Sequence, residues 1–389
     1  MKSAATLLVL VLFCYACGNK NLPPKTHKQA ITEEGFVEDT LSGMYKRYIG
    51  TIAGKPVVLH YTEYGSTISC EYYYEHIGQI ISLTNYNDTT NTGLLYLSES
   101  PSTDMSDDEA HWEVTVSGDS ITGIWTTNDK KKSYPIRLKE DYSNGVQHFS
   151  IVCLTDSARF TDSLAQPQAQ ISYQLLLPVG YDEATGFTRS VIYRSMGCDS
   201  TNSANIKACL ESLNATYFAD YKNSVVDESA EMLASSFNNW SKGTNFSVLY
   251  NENGMVVLNH YTYEYSGGAH GNYASDYLCI DARQLKQLEL KDILAVDEQK
   301  LLPLLETDVR KKFNIKPGEQ LNSYMLVDEL HVPENFYITN KGITFVYGIY
   351  EVAAYVFGEI NVFIPYDKIS DMLSPAFKQR MGLEAVAKK

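Results

Sequence analysis

The chain is short of positive charge. Its 389 residues carry 32 lysines and arginines against 47 aspartates and glutamates, a formal net charge of −15 at pH 7. A surface of that sign repels phosphate backbones, which excludes nucleic acid as a partner. Long apolar runs are scarce too: outside residues 4–13, none approaches the ~20 residues that a membrane-spanning helix needs. Signatures of recognised catalytic chemistry are missing. There is no Gly-x-Ser-x-Gly elbow, no His-x-x-x-His pair, no carboxylate-rich metal strand end, and no glycine loop followed by Lys-Ser/Thr. Nucleophilic, metal-dependent and phosphate-binding sites of known pattern are therefore unsupported. Cysteine is sparse and scattered. Beyond residue 17 it occurs at Cys70, Cys153, Cys198, Cys209 and Cys279, without the paired spacing of a zinc site. Cys198 and Cys209 are close enough to close a small disulfide loop in an oxidising compartment; the alternative is that most of these residues are small buried apolar groups.

What is present begins with an address. Lys2, the apolar run 4–13 and Cys14-Tyr15-Ala16-Cys17 have the layout of a signal peptide over residues 1–16. The run resembles a bacterial lipobox, in which Cys17 is acylated and anchors the protein to a membrane. Cys14 stands where that motif usually has leucine, and a plain secretory cut after Ala16 is the alternative. Residues 17–40, polar and with Pro23-Pro24 adjacent, read as a flexible tether from lipid to domain. The mature chain is expected in the bacterial cell envelope, facing the periplasm or the cell surface.

Aromatic residues are plentiful, with 29 tyrosines. Over 41–155 they fall in short segments recurring every ~8–12 residues, the spacing of an antiparallel meander or small barrel. The segments are KPVVLHYTEY, TISCEYYYE, QIISLTN, GLLYLSES, HWEVTVSG, SITGIWTT, SYPIRLKE and VQHFSIVCL. In the second, Ile68, Cys70, Tyr72 and Tyr74 alternate with Ser69, Glu71 and Tyr73, the pattern of a strand with one buried face. The block resembles a small barrel module of Gram-negative envelope proteins. The acidic cluster Asp104, Asp107, Asp108 and Glu109 reads as a solvated loop.

After a polar, proline-bearing boundary near 156–170, the pattern becomes α+β with a mainly antiparallel sheet. Strands are expected at ISYQLLLPVGY and SVIYRSM, then a helix from Ser203 to about Trp240 whose face is Ile206, Leu210, Leu213, Tyr217 and Tyr221. A second helix is expected at 297–313, capped by Asp297 and lined by Leu301, Leu302, Leu305, Val309 and Phe313. Further strands are expected around 246–281 and 335–365.

Two segments carry a resemblance. YTYEYSGGAHGNYASDYLCID, the Leu-Lys-Asp-Ile at 290–293, NFYITNKGITFVYGIYEVAAYVFGEINVFIPYDKI and the closing DML resemble the C-terminal extracytoplasmic domain of RsiV-type anti-sigma factors, placed here at 251–375. Residues 165–250 are similar to the companion domain that precedes it, and that also precedes the catalytic domain of some peptidoglycan deacetylases. In RsiV the pair is a lysozyme receptor. The chain shows neither a sigma-binding segment with a membrane helix nor a deacetylase domain, so what the resemblance implies is binding.

The knot Ser266-Gly267-Gly268-Ala269-His270-Gly271 is where a site would lie. Its plain reading is a tight connection in which Gly267, Gly268 and Gly271 supply positive φ and His270 bonds to backbone. In the functional reading the same turn presents Tyr265, His270 and Tyr273 to a partner protein. A zinc site would need His260 and His270 to converge with a third ligand, which strand spacing does not imply. No metal and no cofactor are expected. The sequence thus favours a non-catalytic lipoprotein that captures a lysozyme-like muramidase or a peptidoglycan fragment. The alternatives are a wall hydrolase using carboxylates such as Glu264 or Asp276, or an envelope scaffold.

Overall fold

The computed structural model describes residues 37–85, 93–101, 109–159, 168–198, 206–224 and 238–384. The expected signal peptide, Cys17 and the acidic residues 104–108 lie outside them. No helix among the described residues is long and apolar enough to cross a membrane.

Eight antiparallel strands close into a barrel: β1 (Val37–Ile52), β2 (Lys55–Tyr64), β3 (Thr67–Tyr74), β4 (Ile81–Asn85), β5 (Leu95–Pro101), β6 (His111–Ser117), β7 (Ser120–Thr126) and β8 (Ser133–Glu140). Alternation drives the closure. Tyr48, Ile52, Val57, Leu59, Tyr61, Cys70, Tyr72, Leu83, Trp112 and Ile136 point into one core. Glu99 sits among them, and its Oε1 accepts from Tyr72 Oη (2.5 Å), Trp112 Nε1 (2.8 Å) and Trp125 Nε1 (2.6 Å). The two tryptophans, which as exposed aromatics would suit sugar stacking, are instead tied to this carboxylate. Trp112 is wholly buried.

The barrel is not a separate sheet. β1 begins at Val37, inside the stretch expected as tether, and its first half pairs with β9 (Phe149–Arg159), not with β8. The segment VQHFSIVCL, grouped by its spacing with the barrel, is this ninth strand. From it the sheet runs on through β10 (Gln168–Pro178), β11 (Trp240–Glu252), β12 (Met255–Tyr265), β13 (Asn272–Asp281) and β14 (Lys286–Gln287). Only β10 and β11 pair in parallel among these, and among the described residues the crossover between them carries two helices, in keeping with a parallel connection. The first, α1 (Glu183–Ser195), replaces the expected strand SVIYRSM. Asp182 caps it, accepting from the Thr185 amide at 3.0 Å, and Thr188, Val191 and Ile192 bury one face. The β-branched run suggested a strand, but the cap starts a helix seven residues earlier. The second, α2 (Ile206–Ser224), buries Leu210, Tyr217 and Tyr221 but leaves Leu213 40% exposed, and Trp240 already belongs to β11. Cys198 and Cys209 are joined as a disulfide, Cα–Cα 5.9 Å, tying the end of α1 to α2.

Both faces of the open sheet are covered. On one, α1 and α2 pack over Phe246, Val248, Val256, Leu258, Leu278 and Ile280. On the other lie α3 (Leu290–Ile293), α4 (Glu298–Lys312), α5 (Pro375–Arg380) and a three-stranded antiparallel sheet of β15 (Phe336–Ile338), β16 (Gly342–Tyr347) and β17 (Ile360–Pro365). Leu301, Leu305 and Val309 of α4 are fully buried, the apolar face expected from the sequence. That core also takes in Val58, Tyr73 and Ile80 from the outer wall of the barrel. The N-terminal half is thus an all-β antiparallel barrel, and the C-terminal half an α+β arrangement with a mainly antiparallel sheet.

Barrel closure rests on a close approach that a side chain would block. A Cβ at Gly50 of β1 would fall 2.0 Å from the Arg137 carbonyl oxygen of β8. Gly50→Ala should lower the unfolding free energy by about 1–3 kcal/mol. Gly186→Ala, where the new methyl meets nothing within 4 Å in α1, should raise it by about 0.5–1 kcal/mol. Chemical denaturation of the two variants checks both signs.

Candidate functional site

β12 and β13 form a hairpin whose last pairs are Tyr263 with Tyr273 and Glu264 with Asn272. Residues 266–271 turn the corner. Gly267 and Gly268 have φ of 100° and 92°, as the turn demands of them. Gly271 differs from expectation: it is not a positive-φ residue, and its lack of a side chain serves packing. A Cβ there would lie 2.5 Å from the Tyr263 ring.

The six residues singled out from the sequence share this one hairpin, and a second segment decides what they do. Residues 348–358, between β16 and β17, arch over the hairpin tip. The His270 ring stacks on Tyr355 at 4.2 Å. Tyr355 donates its hydroxyl to the Gly271 carbonyl at 2.8 Å and meets Tyr273 edge-on at 5.9 Å. His270 Nδ1 lies 3.0 Å from that same carbonyl, and Nε2 lies 3.3 Å from the Tyr350 hydroxyl. The tautomer protonated at Nδ1 satisfies both contacts, donating to Gly271 and accepting from Tyr350. Tyr265 donates its hydroxyl to the Gly268 carbonyl within the turn at 3.1 Å.

The arch is fixed from below. Val352 and Ala353 are buried. Glu351 accepts from the Gly348 amide at 2.6 Å and from His331 Nε2, whose carboxylate oxygen contact is 2.7 Å. Gly358, at φ 67°, passes so close to Tyr273 that a Cβ would sit 2.9 Å from its hydroxyl. With its ends held, the arch leaves Tyr350 half exposed, Val356 82% exposed and Phe357 partly so. With exposed His270, Tyr350 and Val356 form an aromatic and apolar platform, next to which Phe357 is partly exposed and packs edge-on against Phe313 at the end of α4, 5.0 Å away. Sequence reasoning missed Tyr350, Tyr355, Val356 and Phe357. The available signal was a glycine-bounded stretch, GIYEVAAYVFG, with aromatic residues and no strand alternation.

His260 is elsewhere. It is buried on β12, stacked on Phe246 at 4.6 Å, and burial lowers its pKa. It does not converge with His270, and no group of three His, Cys, Asp or Glu residues among those described is placed to hold a metal ion. Glu264 pairs across the sheet with Lys242 at 3.5 Å, and Asp276 is exposed on β13.

Behind the platform, between the barrel wall and the C-terminal half, lies a cavity of about 310 Å³. Glu71 and Ser82 line it from the barrel, Tyr273, Ser275 and Tyr277 from β13, and Glu359 and Asn361 from the end of the arch. Burial pushes the Glu71 carboxyl up to about 7, against the Ser82 hydroxyl that donates to it at 2.7 Å. Burial also raises Glu359, opposed by Ser275, whose amide donates at 2.8 Å. The sequence pattern assigned Glu71 and Tyr73 to the solvent face of β3. That face is instead covered by the C-terminal half.

Two family models match separate parts of the chain: Deacetylase PdaC over residues 196–273, and Protein of unknown function (DUF3298) over residues 291–367. The first match ends on the hairpin and the second contains the arch. No curated protein matches the chain. Among solved structures, a DUF3298 family member from Bacteroides fragilis NCTC 9343 aligns with 62% of this chain and 100% of its own, at 23% identity and a TM-score of 0.54, which speaks for a shared fold. A DUF3298 family protein from Pseudomonas aeruginosa PAO1 aligns with 58% of this chain and 94% of its own at 17% identity, with a TM-score of 0.36, below the level at which a shared fold follows.

Two expectations follow from the geometry. Burial pushes the Glu71 carboxyl up to about 7, above its usual range near 4.5. Its contribution to stability is therefore fully present below pH ~4.5 and lost as pH rises towards ~7, because the buried group must ionise. Glu71→Gln should leave stability near wild type at pH ~5 and raise it by about 1–3 kcal/mol at pH ~8, read from denaturant melts at both values. Separately, Gly271→Ala should displace the Tyr263 ring and cost about 1–3 kcal/mol, as overpacking does; hydrogen exchange at the hairpin amides would report the loosening.

Proposed function

We propose that the protein is a non-catalytic binding module of the bacterial cell envelope, held there through Cys17, whose C-terminal half captures a basic, lysozyme-like muramidase on the platform of His270, Tyr350 and Val356. The observation that carries this reading is the platform. Large apolar and aromatic groups are held out to solvent by an arch whose middle, Val352 and Ala353, is buried and whose Gly348 and Tyr355 are hydrogen-bonded. Interfaces concentrate their energy in rigid aromatic anchors of that kind. The net charge of −15 supports a basic partner, since a field of one sign speeds encounter with the other and fixes orientation. The resemblance of the hairpin and arch sequences to the lysozyme-receiving domain of RsiV-type proteins supports the same partner class. The two family matches, which meet at this platform, support treating the halves as one binding unit.

Titration calorimetry of residues 18–389 against a panel of lysozymes should give saturable binding that weakens roughly tenfold or more between about 20 and 150 mM salt. Val356→Asp, at a position 82% exposed, should weaken it about tenfold or more without lowering thermal stability. Failure of every lysozyme to bind the folded protein at low salt would overturn the assignment.

A further inference from the structure

The cavity behind the platform has a chemistry that the partner reading does not use. Its two carboxyl groups, Glu71 and Glu359, come from opposite halves of the molecule, and no lysine, arginine or histidine lines it. A carboxylate taken out of water is costly unless charge and hydrogen bonds compensate it. The protein's compensation is slight: the Ser82 hydroxyl to Glu71 and Ser275 to Glu359, all neutral donors. Among the amide groups of the lining, two oxygens stand open as acceptors. The Oδ1 atoms of Asn259 and Asn361, both buried, have no hydrogen-bond partner within the protein. The rings of Tyr277 and Tyr337, 4.7 Å apart and inclined at 42°, supply the apolar wall.

We propose that this cavity is a binding site for a small ligand carrying one or more protonated amines, held by the carboxyl groups of Glu71 and Glu359 in its lining and against the tyrosine rings. An ammonium brings three donors and no acceptor, the complement of the two carboxyl groups and the two open amide oxygens. Its charge favours the ionised form of two carboxyl groups that burial otherwise keeps protonated more readily than in water, and a tyrosine face is favourable to a cation. An anion would be repelled. The volume, about 310 Å³, is at the lower end of small-molecule sites, which limits the ligand to a monosaccharide-sized or diamine-sized body. The proposal is independent of the muramidase reading, because the cavity lies behind the platform and not on it.

Protonation gives the proposal a second readout. Of the groups around Glu71, Tyr277 on β13 feels both Glu71 and Glu359, and the Cys70 thiol adjoins Glu71 on β3; Asp276 adds like charge at Glu359, which lines the cavity from the other half. An ammonium favours the ionised form of Glu71, so binding near pH 6.5 releases a proton and tightens as pH rises from about 5 towards 7.

The test is calorimetric titration of the mature protein with glucosamine, cadaverine and N-acetylglucosamine at pH ~6.5 in two buffers of different ionisation enthalpy. Glucosamine or cadaverine should bind saturably with proton release. N-acetylglucosamine, of the same ring but without a charge, should bind at least about tenfold more weakly. Glu359→Gln should weaken amine binding at least about tenfold, and Glu71→Gln should do the same and abolish the proton release, while both variants keep wild-type lysozyme binding and melt no lower than wild type. Equal binding of the charged and acetylated sugars, absence of binding by both amines to folded protein, or chemical turnover of a probe would each overturn the proposal.

Discussion

The fold depends on one strand changing partners. β1 leaves β9 after Met44 and takes up β8 from Tyr48, while β2 stays along its other edge throughout the barrel portion. At the change-over sits Arg47, 3% exposed, whose guanidinium meets Asp141 Oδ1 at 3.1 Å just beyond β8 and Glu252 at 3.6 Å at the end of β11. A buried guanidinium tolerates little freedom in its partners, so this residue fixes where the barrel ends and the open sheet begins. Beside it, Asn251 donates to the Tyr45 hydroxyl at 3.2 Å, and Tyr45 lies 2.9 Å from His60 Nδ1. Burial, reinforced by Arg47, holds His60 well below its usual pKa, so it stays neutral and the network carries no second cation.

Because β1 belongs to both sheets, the outer wall of the barrel becomes a floor for the C-terminal half. β2 shows this in its burial. Val57, Leu59 and Tyr61 face the barrel core, while Val58 on the opposite face joins the C-terminal core, and six consecutive residues are buried. The cavity with its two carboxyls lies along that floor. It is a property of two halves meeting, and neither half contains it alone.

The platform follows a similar logic at a smaller scale. The hairpin is stiff because its strands are paired to the last residue and its glycines match the turn. The arch is stiff because Val352 and Ala353 plug into the core and Glu351 staples its start. Stacking of His270 on Tyr355 then fastens one to the other. Apolar groups exposed on rigid backbone lose little entropy on binding, which distinguishes this surface from a flexible loop of the same composition.

The sequence by itself determined the elements whose signals are local. Period-two alternation placed the strands of the barrel, the i, i+4, i+8 spacing of Leu301, Leu305 and Val309 placed α4, and two adjacent glycines placed the turn at 267–268. It misread SVIYRSM because β-branched residues mimic a strand when the cap at Asp182 is overlooked, and it read Gly271 as a torsional residue when the constraint is the Tyr263 ring. Tertiary structure decided everything set by contacts between segments far apart in the chain. Examples are the double use of β1, the covering of Glu71, and the meeting of His270 with Tyr350 and Tyr355 across about eighty residues. The physical reason is that periodicity reports which face of an element is apolar, whereas what covers that face is set by packing between elements, which no local pattern encodes.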